Sequence, residues 1–301
     1  SQYLAGGVLG RFQFDHSGNV TSNEIDLYFY NNTAGYLTFP AFVPKVKLNN
    51  IDPSYMALGA ASGVYVAQDT FSTPTPYTPG DTACVNGCYN ILPASYSGPT
   101  GSIITALDFG TRDNPFALLA GSTGPGGARL FVSTGTSLRA MSLTPVFSYT
   151  ALSYNGNGAL APTAVLFDPR AQQRFFAADS NLLYGTVNGG ATGALLNGNL
   201  PANFTRPESL GFISSNGVNA LLVGGINTAD NAGNPLIVAD SDAIGVLSSW
   251  RRFGTGLPNT QVNLIDYEAS LDALAIGTYG RGVFMLYDVT SNFSQASVLQ
   301  F

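Results

Sequence analysis

QVNLIDYE (261–268), DALAIGTYG (272–280) and GRGVFMLYD (280–288) are three short apolar runs in direct succession. The first carries an acid, Asp266, near its end. The second is almost wholly apolar and reaches a small residue, Gly277. The third is bounded by Gly280 and Asp288. Apolar runs this short, separated by Gly, Asn, Asp and Pro, read as β-strands, because a helix needs a longer 3.6-residue periodicity.

The same order recurs upstream. First runs are KVKLNNIDP (45–53), SIITALDFG (102–110), PTAVLFDPR (162–170) and ESLGFISS (208–215). Asp52, Asp108, Asp168 and Asp266 fall at one point of the run, where the 208–215 copy has Ser214. Second runs are YMALGAASG (55–63), FALLAGST (116–123), RFFAADS (174–180) and NALLVGGIN (219–227), and YLAGGVLG (3–10) opens the chain with the same element. Third runs include GVYVAQD (63–69), ARLFVSTG (128–135), NLLYGTVN (181–188) and NPLIVADS (234–241). More polar fourth runs follow in most units, such as LRAMSLTP (138–145), ALLNGNL (194–200) and WRRFGTG (250–256). Gly6, Gly59, Gly121, Ala178, Gly224 and Gly277 anchor the second runs at intervals of about 46 to 62 residues, close to the length of a four-stranded propeller blade. The expectation is an all-β, single-domain β-propeller over residues 1–301, of about six four-stranded blades, seven being the alternative. The tail FSQASVLQF (293–301) would pair beside the N-terminal YLAGG strand to close the ring.

Composition bounds the function. Only 10% of the 301 residues are charged and the formal net charge is −6, with Lys45 and Lys47 the only lysines. No basic stripe is available to track a phosphate backbone, which excludes nucleic acid as a partner. No apolar run is long enough for a membrane-spanning helix. A chain so rich in Gly, Ala, Ser, Thr and Asn suits an extracellular or cell-surface setting. No basic-then-apolar leader opens it. Cys84 and Cys88 flank the turn dipeptide Asn86-Gly87 and read as a small disulfide loop, with two free thiols as the alternative. Asn19, Asn31, Asn203 and Asn292 each open an N-x-S/T sequon, a possible glycosylation site in a secretory protein.

Thr186-Val187-Asn188-Gly189-Gly190-Ala191-Thr192-Gly193 resembles the Asp-box, or BNR, repeat S/T-x-D-x-G-x-T-W, with Asn188 in the Asp place and Gly193 in the Trp place. ADSDAIGVLSSW (239–250) has the Asp, Gly and Trp at a different spacing. WRRFGTGLPNTQV (250–262) and GTYGRGVFMLYD (277–288) look like the closing blade of BNR-type propellers. The resemblance extends over residues 160–290. It implies a propeller whose boxes brace hairpins, in a superfamily that spans sialidases, xyloglucan hydrolases and sortilin-like receptors.

The residues themselves supply no catalytic set. A sialidase needs an arginine triad and a Tyr/Glu pair, and no arginine here sits in such a motif. A glycosidase needs two carboxylates across a cleft; the regular Asp52, Asp108, Asp168 and Asp266 recur unit by unit, as structural residues do, and Trp250 is the lone tryptophan. His16 has no Ser-Asp set beside it. Oxygen-rich stretches at Asp15, Ser17, Asn19, Thr21 and Glu24, at Asp230, Asn231 and Asn234, and at Asp240 and Asp242 resemble calcium loops only loosely and read as polar turns. The expectation is therefore a module with no catalytic residues, no metal and no cofactor. It would bind other protein chains, or build a larger surface polypeptide or self-assembly. The alternative is a carbohydrate-active hydrolase or lectin taking a glycan on one propeller face.

Overall fold

The computed structural model describes residues 8–11, 15, 17, 19, 25–28, 30–31, 35–36, 45–60, 63–68, 89–90, 103–123, 129–146, 153–154, 157–201, 203–227, 235–240 and 250–293. Strand β1 (Val8–Arg11) pairs with β2 (Ile25–Tyr28), and β3 (Tyr30–Asn31) with β4 (Gly35–Tyr36). Blade I comprises β5 (Lys45–Leu48), β6 (Tyr55–Ala60), β7 (Gly63–Gln68) and β8 (Tyr89–Asn90); blade II comprises β9 (Ile103–Phe109), β10 (Leu118–Thr123), β11 (Arg129–Ser133) and β12 (Thr144–Pro145). After a hairpin of β13 (Ser153–Tyr154) and β14 (Asn157–Gly158), blade III holds β15 (Ala164–Asp168), β16 (Ala171–Ala178), β17 (Leu183–Thr186) and β18 (Ala194–Leu195). Blade IV holds β19 (Phe204–Ser215), β20 (Val218–Asn227), β21 (Leu236–Asp240) and β22 (Arg251–Arg252), and blade V β23 (Val262–Glu268), β24 (Ala273–Thr278) and β25 (Gly282–Leu286). Every sheet is an antiparallel meander in chain order.

The described residues thus form a propeller of five blades of three or four strands, which corrects the expected six, or alternatively seven. Among the described residues the unit that begins at Gly6 forms no four-stranded blade: β1 pairs with β2, and β3 and β4 form a separate ribbon. The apolar runs there yield strands of only two to four residues. The expected closure, FSQASVLQF pairing beside the YLAGG strand, falls on residues 3–7 and 294–301, which lie outside the described residues.

The second strands are buried on both faces, as their unbroken apolar sequence requires. Leu118, Leu119 and Ala120, Phe175 to Ala178, and Leu221 to Val223 have no exposed surface. Each fully buried Leu or Phe contributes about 1.5–3 kcal/mol of transfer free energy. The small residues among them make room for the next blade. A Cβ on Gly59 would lie 2.6 Å from Cβ of Ile104 in blade II, and one on Gly224 would lie 2.4 Å from Cγ1 of Val262 in blade V. The first strands pack in sequence, β5 on β9, β9 on β15, β15 on β19 and β19 on β23. Four apolar clusters fill the layers along this series, II–III, III–IV, IV–V and I–II.

The turn after β17 has the hydrogen bonds that its sequence pattern requires. Thr186 Oγ1 donates to the Thr192 carbonyl at 2.5 Å and accepts from Gly190 N at 3.2 Å. Asn188 Oδ1 accepts from Thr192 N at 2.9 Å, and its amide donates to Thr192 Oγ1 at 2.7 Å. Gly189 and Gly190 stand at φ +67° and +88°, where a side chain would be strained. Asn does here what the box asks of Asp, because the turn needs a side-chain acceptor two residues after the threonine.

Candidate functional site: the central channel and the free face of blade V

The first strands of all five blades enclose a cavity of about 590 Å³. Its wall is uneven. Blade I contributes Lys45 and Lys47 and blade V contributes Asp266 and Glu268, while Leu107, Leu166 and Phe212 line the side between.

The four recurrent acids divide into two kinds. Asp108 pairs with Leu119, two residues before Gly121, and Asp266 pairs with Ala275, two before Gly277, so both sit inside a strand at one level. Asp168 is the last residue of β15, paired with Ala171 across a register shift, and Asp52 lies beyond β5 in a turn. Asp52 Oδ1 accepts from Ser54 N at 3.0 Å, closing its own turn. Asp168, fully buried, accepts from Arg170 Nε at 2.8 Å and Nη2 at 2.6 Å, with Arg174 Nη1 at 3.6 Å. Arg170 in turn lies over the Phe212 ring of blade IV at 5.7 Å.

Asp108 is 1% exposed and joins three blades. Its Oδ2 accepts from the Phe167 amide of blade III at 2.7 Å. Its Oδ1 accepts from Asn50 Nδ2 at 3.1 Å and faces Lys47 Nζ at 3.2 Å, both from blade I. Neighbouring bonds repeat the theme: Asn49 Nδ2 donates to the Pro115 carbonyl at 2.5 Å, Arg112 N to the Pro169 carbonyl at 2.8 Å, and Ser209 Oγ to the Val262 carbonyl at 2.7 Å. Asp179, also fully buried, accepts from the amides of Leu160 at 2.8 Å, Asn181 at 2.6 Å and Leu182 at 2.5 Å. Nothing in its sequence context singled it out beyond the Asp-Ser-Asn turn signal.

Two further channel acids, Glu208 and Glu268, accept hydrogen bonds from their neighbours. Glu208 Oε1 accepts from Arg206 Nη2 at 2.9 Å and from Ser180 Oγ at 3.2 Å. Glu268 is solvent-exposed, and hydrogen bonds from the Ser270 side chain and backbone hold its carboxyl below the usual carboxylate value. A glycosidase acid requires the opposite shift, upward. Four of the described arginine side chains are engaged in the frame: Arg170 and Arg174 on Asp168, Arg206 on Glu208, and Arg251 over Phe293 at 5.4 Å. Trp250 is buried, and its Nε1 donates to the Leu196 carbonyl of blade III at 2.9 Å. It is a joint between blades, not a sugar platform.

The other residues singled out in the sequence fall as follows. Asp15 Oδ1 accepts from the amides of Ser17 at 2.8 Å and Asn19 at 2.9 Å, which makes that segment a polar turn. Among the described residues no group of three or more His, Cys, Asp or Glu could hold a metal. Asn19 and Asn203 are exposed, Asn203 at φ +67°; Asn31 lies in β3 and Asn292 in a 3-10 turn, Thr290–Asn292. His16, Thr21, Glu24, Cys84, Cys88, Asp230, Asn231, Asn234 and Asp242 lie outside the described residues.

Blade V carries the other prominent feature, on the sheet face turned away from blade IV. Ile265, Leu274, Ile276 and Leu286 point toward blade IV and are buried. On the opposite face, register places Leu264 beside Gly277 and Val283, and Asp266 beside Ala275 and Met285. Leu264 is 56% exposed, Val283 66% and Met285 43%, and Tyr287 follows on the same strand line at 61%. Leu264, Val283 and Met285 thus form a contiguous exposed apolar set on this face rather than scattered exposure.

The chain beyond β25 is latched to this blade. Asp272, at φ +45° in the β23–β24 turn, accepts from Tyr267 Oη at 2.8 Å and from Thr290 Oγ1 at 2.7 Å, and Thr290 Oγ1 accepts from Asn216 Nδ2 of blade IV at 2.8 Å. Burial, aided by the bond to the Asp272 carboxylate, pushes the Tyr267 hydroxyl from 10.0 up to about 12. A raised tyrosine pKa favours the neutral form in the fold. Its contribution is complete below the unfolded value near 10 and is lost as pH rises toward 12. Denaturant-unfolding midpoints measured between pH 9 and 12 will fall less steeply for Tyr267→Phe than for the parent chain; parallel curves would remove this linkage.

The fold has clear neighbours among solved structures. The β-propeller domain of Cps50 (Swd1) from Myceliophteria thermophila aligns with a TM-score of 0.55 at 12% identity, over 94% of this chain and 78% of that one. U3-55K aligns at 0.53 and 10% identity, over 94% of this chain and 71% of that one. AFV00434, an ancestral GH74 enzyme, aligns at 0.51 and 12%, over 80% of this chain and 30% of that one. At these identities the likeness establishes a β-propeller and no more. No protein-family model matches the chain, and no curated protein matches it in sequence, so the Asp-box pattern at 186–193 stands as a turn geometry rather than as membership in that family.

Proposed function

We propose that this chain is a non-catalytic propeller module that binds other polypeptide, as a building block of a larger extracellular or cell-surface assembly. The observation that carries the reading is the apolar free face of blade V, Leu264, Val283 and Met285, presented beside a channel whose recurrent buried acids are spent on the frame. The partner this face suits is a protein surface, apolar at its centre and basic opposite Asp266 and Glu268. The low charge and the hydroxyl- and amide-rich surface favour the extracellular setting. The glycan reading has the channel volume in its favour, since about 590 Å³ falls in the range of small-molecule sites. Against it stands the burial of Trp250, the sole tryptophan.

Light scattering on size-exclusion fractions of the protein from its source will give a native mass well above the 31.4 kDa of the chain. Leu264→Asp with Met285→Asp will return it to the mass of a free chain. A native mass of about one chain, with reducing sugar released from a panel of β-glucans, would replace this reading with the enzymatic one.

A further inference from the structure

Blades III and IV carry the Asn-Gly pairs Asn188-Gly189, Asn197-Gly198 and Asn216-Gly217. Asparagine followed by glycine is the dipeptide most open to one spontaneous reaction. The glycine nitrogen attacks Cγ of the asparagine, because no Cβ on the glycine shields the approach.

In two of the pairs the fold blocks that attack. The Asn188 amide is held at both its oxygen and its nitrogen by Thr192, and the Gly189 nitrogen is occupied, donating to the Gln173 carbonyl at 2.8 Å. Asn197 is 3% exposed; its Oδ1 accepts from Leu183 N at 2.8 Å and its Nδ2 donates to the Asn181 carbonyl at 3.0 Å. Asn216-Gly217 is different. It forms the turn between β19 and β20, and both residues are exposed. A Cβ on Gly217 would meet nothing within 4 Å, so water reaches the turn. Among the described residues the Gly217 nitrogen donates to no backbone carbonyl. The Asn216 side chain is tied by one hydrogen bond, from Nδ2 to Thr290 Oγ1 at 2.8 Å.

We propose that Asn216 is a self-modification site, and that its conversion to an acid releases the latch between blade IV and the chain beyond β25. The Gly217 nitrogen gives up its proton and bonds to Cγ; the Cγ–Nδ2 bond breaks, and the amide nitrogen leaves as ammonia. Water then opens the cyclic imide. Cleavage at Cγ leaves aspartate, and cleavage at the main-chain carbonyl leaves isoaspartate, with the backbone rerouted through Cβ and Cγ.

Thr290 carries the consequence. Its hydroxyl has a single proton, which it donates to Asp272 Oδ2 at 2.7 Å, and so it accepts from Asn216. A carboxylate at 216 has no proton to donate, and it sets a second negative charge across that hydroxyl from Asp272. Isoaspartate loses the contact as well, since the added backbone atom displaces a turn whose ends, Ser215 and Val218, are paired. Either product unties Thr290 from blade IV and leaves it to Asp272 of blade V.

The folded chain, kept in mildly alkaline buffer and mapped by tandem mass spectrometry with isoaspartate-specific methylation, tests the site. Acid will accumulate at residue 216 at least about tenfold faster than at 188 or 197, because those two react only through local opening. In denaturant the three will react alike. Conversion at 216 no faster than at 188 or 197 in the folded chain overturns the proposal. Asn216→Asp tests the release. Hydrogen exchange of the Thr290 and Phe293 amides, which donate to Asp272 and to the Thr290 carbonyl, will rise at least about fivefold while blades II and III keep their protection. Exchange at 290 and 293 unchanged from the parent overturns the release.

Discussion

Asp108→Ala lowers the unfolding free energy by about 2–4 kcal/mol, the cost of leaving buried partners of a carboxylate unsatisfied. The Phe167 amide is buried in the II–III layer and loses its acceptor, and Asn50 and Lys47 lose theirs at the I–II seam. Lys47 is 35% exposed at its side chain and finds water, so the orphaned amide carries most of the loss. Asp108→Asn keeps an acceptor for the Phe167 amide and loses less. Guanidinium denaturation followed by far-ultraviolet circular dichroism will order the three proteins parent, Asn, Ala. An alanine variant within about 0.5 kcal/mol of the parent would mean that the three-blade junction contributes little.

Trp250→Ala costs about 3–5 kcal/mol, the usual range for removing a buried aromatic ring that neighbours cannot replace. The ring is 6% exposed within the III–IV layer, beside Phe176, Leu196 and Ile237, and its nitrogen is bonded across the blade boundary. Trp250→Phe keeps most of the packing and loses the bond, for about 1–2 kcal/mol. Thermal unfolding by circular dichroism reads both. Because Trp250 is the sole tryptophan, the parent's fluorescence adds a direct check on function: emission will be blue-shifted, poorly quenched by acrylamide and unchanged by oligosaccharides. Ready quenching, or a shift on adding sugar, would return Trp250 to a binding face.

The repeat was legible because each strand and turn is a local matter. The all-apolar second strands, buried throughout at 118–120 and 221–223, announced themselves as two-sided. Thr186, Asn188, Gly189 and Gly190 announced their turn, since the side-chain bonds that close it span six residues or fewer. The small residues at Gly59 and Gly224 were equally visible, and what crowds them, Ile104 and Val262, belongs to the next blade.

The acids were legible as a series and not as roles. Asp108 and Asp168 occupy the same place in SIITALDFG and PTAVLFDPR, yet one lies inside its strand and the other, past a register shift at Phe167/Asp168, is the last residue of its strand. One consequently braces three blades and the other its own arginines. A one-residue irregularity in pairing leaves no mark on the hydrophobic pattern, because both registers bury the same apolar set.

By itself the sequence determined that this protein is an all-β propeller of short repeated strands with little charge. Strand length, turn chemistry and alternation are encoded within a few residues of one another. Only the tertiary structure decided that the described residues form five blades, that β1 to β4 form two separate ribbons, that Trp250 is a joint, and that one face of blade V exposes Leu264, Val283 and Met285. Those outcomes depend on which strand lies beside which. Pairing between residues 50 to 60 positions apart, as for Asp108 with Phe167 or Trp250 with Leu196, is set by the packing of whole sheets rather than by any local run.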